Sequence, residues 1–139
     1  MQVNFRKMNE YSTEIYNQII ETFPDLEGKN KQGTELLEFH IENEYKSKFG
    51  DLYIETSEDD KIWLRGDFPF TTYQVDSSEE LFYILEGFLF NELFWVISYE
   101  EEDWDDTFLI LKDHEMKTEE GFTYKILSWN GKDDQTIKP

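Results

Sequence analysis

Seven consecutive residues, Glu100-Glu101-Glu102-Asp103-Trp104-Asp105-Asp106, set six carboxylates around one tryptophan. Carboxylate oxygens suit two kinds of chemistry. They can ligate a hard divalent cation such as calcium or magnesium. This run lacks the alternating Asp/Asn spacing and the turn glycine of a calcium-binding loop, so no metal site and no cofactor are expected. Carboxylates can also meet lysine and arginine of a protein partner and speed its arrival. A tryptophan among them would then act as an anchor, because Trp is enriched where binding energy concentrates. The alternative is that Trp104 folds back onto the core and the acids are a solvated hairpin tip. Both readings stay open on sequence.

The chain has two histidines, His40 and His114. His40 falls on an expected strand between Glu38 and Glu42, all directed to one side, where a carboxylate could orient it as a base. It could equally be a surface histidine among surface acids, and no nucleophile or phosphate cradle accompanies it. Glycine-rich nucleotide loops, a nucleophile elbow and a zinc-protease helix are all missing. The absence of cysteine excludes disulfides, thiol catalysis and thiolate zinc sites. Paired carboxylates carry no weight among 32 acidic residues, since some pair always falls at a useful separation. No catalytic residues are assigned, and the chain is not expected to be an enzyme.

The 32 acidic residues face 13 basic ones, a net charge of −19 over 139 residues. Such a surface disfavours direct contact with nucleic acid or an anionic membrane, which both need cations on the protein. It can steer a basic protein into contact, or simply provide solubility. Aromatics make up 17% of the chain, far too many for a disordered acidic tail, so a packed core is expected. Arg6 and Lys7 precede no apolar run, so the amino terminus does not read as a signal peptide. No stretch approaches the roughly twenty apolar residues of a membrane span. A cytoplasmic location is expected.

Several elements must position these residues. Tyr11, Ile15, Ile19 and Phe23 recur every fourth position and predict an amphipathic helix over Met8–Phe23, ended by Pro24. Asp25–Gly33 reads as a loop. Leu37/Phe39/Ile41, Leu52/Ile54 and Ile62/Leu64 alternate with polar residues, the period of half-buried strands, with Ser57–Asp60 as a hairpin turn. Thr71–Val75 adds a short strand. Asp76 or Ser77, with Glu79 or Glu80 three residues on, caps a second helix. Its apolar residues Leu81, Phe82, Ile84, Leu85, Phe88 and Leu89 cover most of its circumference, as in a central helix. Leu93–Tyr99 and Thr107–Lys112 read as buried strands joined by the acidic loop Glu100–Asp106. Phe122–Trp129 reads as another strand, and Asn130–Pro139 as a loose tail. The order helix–strands–helix–strands predicts an α+β fold, one globular domain over 1–139, with a mostly antiparallel sheet and two main helices.

Four further aromatics are secondary partner-binding candidates. Tyr83 and Phe90 lie seven residues apart on the polar face of the second helix. Tyr53 and Trp63 share the outward side of the first hairpin with Glu55 and Arg65. Intramolecular packing is the favoured account for both pairs, and a sheet covered by helices on both faces would absorb all four.

The block DLYIETSEDDKIWLRGDFPFTTYQVDSSEELFYILEGFLFNELFWVISYEEE runs from Asp51 to Glu102: hairpin, capped helix, then an aromatic segment ending in acids. With the chain's size and acidity, this block resembles the immunity proteins of bacterial polymorphic toxin systems, those opposing contact-dependent and type VII secreted toxins among them. The resemblance covers somewhat over a third of the chain. It implies tight, stoichiometric inhibition of a cognate toxin, commonly a nuclease with a basic substrate cleft. A charge mimic of nucleic acid can occlude such a cleft, with carboxylates replacing phosphates and an aromatic replacing a stacked base. An inhibitor or nucleic-acid mimic of phage type, acting on a host defence nuclease, would use the same surface physics. A small enzyme or ligand-binding domain built on His40 is the reading from a different class, and a deep pocket with convergent polar groups would favour it.

Overall fold

A computed structural model of the chain describes residues 7–31 and 34–139. Residues 1–6 of the amino-terminal segment, and Gln32 and Gly33 of the expected Asp25–Gly33 loop, lie outside it. The fold is α+β, with two antiparallel four-stranded sheets rather than one.

Helix α1 spans Glu10–Thr22. It begins at Glu10 because the Asn9 side chain accepts the Ser12 N–H at 2.8 Å, an N-cap that satisfies one orphan donor of the first turn. Ile15 and Ile19 bury its inner stripe, and Ser12 Oγ lies 2.6 Å from Thr56 Oγ1 inside the core. Strands β1 (Glu38–Ile41), β2 (Leu52–Thr56), β3 (Ile62–Gly66) and β4 (Thr72–Val75) pair in sequence order. Their alternation places Phe39, Ile41, Leu52, Ile54, Ile62, Leu64 and Val75 on the inner face. Among the described residues, no helix covers the other face of this first sheet. Glu38, His40, Tyr53, Glu55, Trp63 and Arg65 stand there half-buried or exposed, so no helix on that side absorbs Tyr53 and Trp63.

Helix α2, Ser78–Leu89, carries the chain from the first sheet to the second. Ser77 caps it, accepting the Glu80 N–H at 3.1 Å. Leu81, Ile84, Leu85 and Phe88 are buried, and the helix touches α1, β4 and β5. It ends in a Schellman motif: Glu92 N–H donates to Gly87 C=O and Asn91 N–H to Phe88 C=O. Asn91 takes the left-handed conformation, φ 57°, that this motif requires. A Cβ on Gly87 would fall 2.7 Å from Leu93 Cβ, so glycine here permits the close approach of helix and strand.

The second sheet has the order β6-β5-β7-β8, from β5 (Leu93–Glu100), β6 (Asp103–Leu111), β7 (Phe122–Leu127) and β8 (Gln135–Ile137). Its inner residues Leu93, Trp95, Ile97 and Leu127 join the first sheet and both helices in one core. Phe49, Phe88, Trp95 and Trp129 form the aromatic centre, with ring centroids 5.0–5.3 Å apart for Phe49–Phe88, Phe88–Trp95 and Phe49–Trp129. Its outer face holds a second cluster of Phe94, Val96, Tyr124 and Ile126. The carboxy-terminal tail, expected to be loose, supplies β8. Asn130 N–H donates to Asn91 Oδ1, and the Asp134 carboxylate accepts from Ser128, which ties the segment down. No helix among the described residues is long and apolar enough to cross a membrane.

Candidate functional site

The acidic run is mostly strand. β5 and β6 are joined by a two-residue turn, Glu101–Glu102, with Glu100 paired to Asp103. Glu101 sits at φ 56°, the sign that two-residue hairpin turns need to match strand twist. Nor is β6 a buried strand: it is the edge of its sheet, exposed from Asp103 to Asp106 and half-buried from Thr107 to Ile110. Asp has low strand propensity, but a long β5 opposite imposes pairing, and charge on an edge blocks unwanted sheet extension.

A β-bulge decides where the side chains go. Ser98 pairs with Asp106 and Tyr99 with Trp104, leaving Asp105 as the extra residue. Without it Trp104 would share the outer face with Asp106. With it Trp104 joins Tyr99 and Thr107 on the inner side of the sheet. Glu100, Asp103 and Asp106 fall on the outer side, and Asp105 Oδ2 accepts the Ser98 hydroxyl there at 3.0 Å. The strand therefore separates the tryptophan from its carboxylates, instead of surrounding it with them.

Trp104 neither enters the core nor stands alone. It is 47% exposed and stacks on Phe70, itself 52% exposed, at 5.1 Å between centroids and 12° between planes. Trp104 Nε1–H donates to Thr107 Oγ1 at 3.0 Å, and the Thr107 hydroxyl donates to Phe70 C=O at 2.9 Å. Phe70 lies in the β3–β4 turn at φ 69°, a conformation that costs a non-glycine residue energy and that the Thr107 bond helps hold. Behind the stack, Lys125 Nζ sits 5.3 Å from the Tyr99 ring centroid and 5.6 Å from that of Phe68. Burial pushes the Tyr99 hydroxyl above its usual pKa. Among the described residues, Glu100–Asp106 form no ion pair, and no group of acids and histidines converges as a metal site. Phe70 and Thr107 are the site residues that sequence reasoning missed. The signal was a Phe-Pro-Phe turn, whose contact with Trp104 depends on how two hairpins meet.

The four secondary candidates do not join this site as one surface. Tyr53 is covered by its cross-strand neighbours: the His40 ring stacks on it at 4.8 Å, and the Arg65 guanidinium lies 4.2 Å from its centroid. Trp63 is half-buried one register step away. Tyr83 and Phe90 are 59% and 67% exposed, against the expectation that packing would absorb them. Phe90 overhangs an apolar groove of about 530 Å³ shared with Phe23, Leu26 and Leu89. Tyr83 borders a groove between α2 and the far end of β6.

His40 has a carboxylate partner, but not Glu38 or Glu42. Its Nε2 lies 2.6 Å from Asp51 Oδ2, the diagonal neighbour across the β1–β2 pair. Burial acts to raise the Asp51 carboxyl, but the Asn43 N–H and the His40 ring outweigh it and hold the pKa below its usual value. The adjoining groove, about 460 Å³, also contains Lys29, Lys31, Glu38, Glu55 and Arg65. Arg65 pairs with Glu55 at 2.9 Å and Lys31 with Glu38 at 3.7 Å. Comparison of the chain with protein-family models, curated proteins and solved structures finds no match.

Proposed function

We propose that this chain is a non-catalytic binding protein that neutralises a basic cognate toxin by stoichiometric inhibition, in the manner of the bacterial immunity proteins it resembles. The toxin would be a nuclease whose cationic cleft normally holds nucleic acid, and the encounter would take place in the cytoplasm. The observation that carries this reading is the Phe70–Trp104 stack, two large rings held half in water beside a hairpin tip whose six carboxylates form no ion pair among the described residues. An isolated aromatic surface of this kind is costly to expose and serves well as an anchor, while the charge accelerates association. An inhibitor of phage type acting on a defence nuclease would use the same tip.

A ligand-binding or catalytic role for the His40 groove draws support from the His40–Asp51 contact. It ranks second because Lys31 and Arg65 are already paired with carboxylates of the same groove. Co-expression decides between the two. The partner domain that the purified chain captures is produced in a host, with wild-type chain, with Trp104→Ala, or with His40→Ala, and growth is followed. Rescue by wild type and His40→Ala, and its loss with folded Trp104→Ala, is expected. Rescue that depends on His40 and ignores Trp104 would reverse the ranking.

A further inference from the structure

The edge of β6 does not end at the hairpin tip. Lys112 N–H donates to Glu92 C=O, and the register continues as Leu93↔Leu111, Phe94↔Ile110 and Trp95↔Leu109. Antiparallel ladders alternate hydrogen-bonded and non-bonded pairs, so the backbone groups of Thr107, Leu109 and Leu111 point away from β5. Asp106 Oδ1 accepts the Thr107 N–H, and Leu111 C=O accepts the His114 N–H. Among the described residues no hydrogen bond reaches the N–H or C=O of Leu109, nor the N–H of Leu111. An edge with vacant donors and acceptors is a template for another strand.

The flank of this edge is built as a groove. Two adjoining cavities of about 430 and 250 Å³ run between α2 and β6, with Tyr83, Ile84, Leu93, Leu109 and Leu111 among their walls. Their charged lining is Glu80, Glu86, Glu92 and Glu115, with no lysine or arginine. Four of the exposed large hydrophobics, Phe70, Trp104, Tyr83 and Leu111, lie along β6 or beside it. On the opposite, outer face the same strand carries Phe108 and Ile110 within this span, and Asp106 and Asp103 only toward the hairpin tip.

We infer that the free edge of β6 from Thr107 to Leu111 binds an extended, lysine- or arginine-rich segment of the partner as an added strand. This rests on the reading of the chain as a binder of a basic protein, and it names how the partner is held. A strand presents alternate side chains to opposite faces. Cations of the segment reach Glu80, Glu86, Glu92 and Glu115 of the groove, while its apolar residues extend the outer face beside Phe108 and Ile110. Charge disfavours a second copy of this chain as the occupant, since pairing would oppose two surfaces of the same strong negative sign.

The test is a titration of the 15N-labelled full chain with an N-acetylated peptide of alternating lysine and valine, followed by amide chemical shifts and exchange. Binding with slowed exchange of the Leu109 and Leu111 amides is expected. N-methylation of alternate peptide residues should weaken binding at least about ten-fold, the effect of losing two backbone hydrogen bonds. Leu111→Pro, which loses one such bond, should weaken it about five-fold. A proline there removes an outward N–H and no bond to β5. Leu111→Val, which keeps the N–H, should bind as wild type. No binding, equal affinity for the N-methylated peptide, or protection confined to other elements would overturn the inference. If the peptide instead shifts the Trp104 indole and binding is lost in Trp104→Ala alone, the edge fails and the acidic-binder reading survives. If the edge binds the peptide and the chain rescues no toxin, the edge stands and the toxin reading fails.

Discussion

The indole of Trp104 lies flat against the ring of Phe70, and a hydrogen-bonded chain through Thr107 returns from the indole N–H to the Phe70 carbonyl. Two hairpins that belong to different sheets are thereby clasped at their ends. The clasp fixes an aromatic surface that neither hairpin could hold alone. On the proposed reading this rigidity would favour binding, because an anchor already held in place loses less freedom when a partner arrives.

The stack should contribute little to folding and much to binding. Phe70→Ala and Trp104→Ala, singly and together, are expected to show a coupling in stability of about 0.5–1.5 kcal/mol, the range for aromatic pairs. Affinity for the partner should fall by about 2 kcal/mol or more for Trp104→Ala. Urea melts and calorimetric titrations on the same variants read both quantities. A large stability loss with unchanged affinity would make the clasp purely structural.

The carboxylates should act on the rate of encounter. Glu101→Gln with Asp103→Asn and Asp105→Asn keeps an acceptor at Asp105 for the Ser98 hydroxyl, so the fold is expected to persist. Association with a basic partner should slow, and the fall of on-rate with added salt should become shallower. Stopped-flow traces at several ionic strengths measure this. An on-rate equal to wild type at low salt would confine the charge to solubility.

Glu101 adopts a left-handed backbone, φ 56°, that disfavours any residue with a Cβ. Glu101→Gly should raise stability by about 1 kcal/mol, since glycine takes this conformation freely and the change also removes one charge of a crowded set. A lowered melting temperature would show that the glutamate side chain holds the turn.

Asp51 gives the chain an acid-sensitive contact. Its folded pKa lies below the usual 3.8, so its contribution is present above that value and is lost as pH falls through the folded pKa. Asp51→Asn should therefore be less stable than wild type near neutrality, with the difference closing below about pH 4. Denaturant midpoints across that range test it. A constant gap at every pH would assign the loss to geometry rather than ionisation.

Much of the fold was legible because local signals agreed with the packing. The fourfold recurrence of Ile15 and Ile19, the Ser77 cap and the period-two runs at Leu52/Ile54 and Ile62/Leu64 all mark elements that form. The division into two sheets was not legible, since alternation reads the same in one sheet or two. What divides them is α2, which crosses from β4 to β5. At the site, composition misled. Asp103–Asp106 reads as loop on propensity, and its strand exists because β5 lies opposite. The bulge at Asp105, the approach of Phe70 and the diagonal His40–Asp51 contact all depend on register between distant segments. The exposure of Tyr83 and Phe90 was closer to hand, as Tyr83 falls on the polar face of α2 with Glu79 and Glu86 and Phe90 sits just past its last turn.

The most direct measurement takes the protein that purified chain captures from the cells expressing it, and titrates its nuclease activity with that chain. The account predicts activity falling to zero at one equivalent of wild type, and no sharp endpoint for the folded Phe70→Ala, Trp104→Ala double variant. Nuclease activity indifferent to wild-type chain, or an identical endpoint for the double variant, would contradict it.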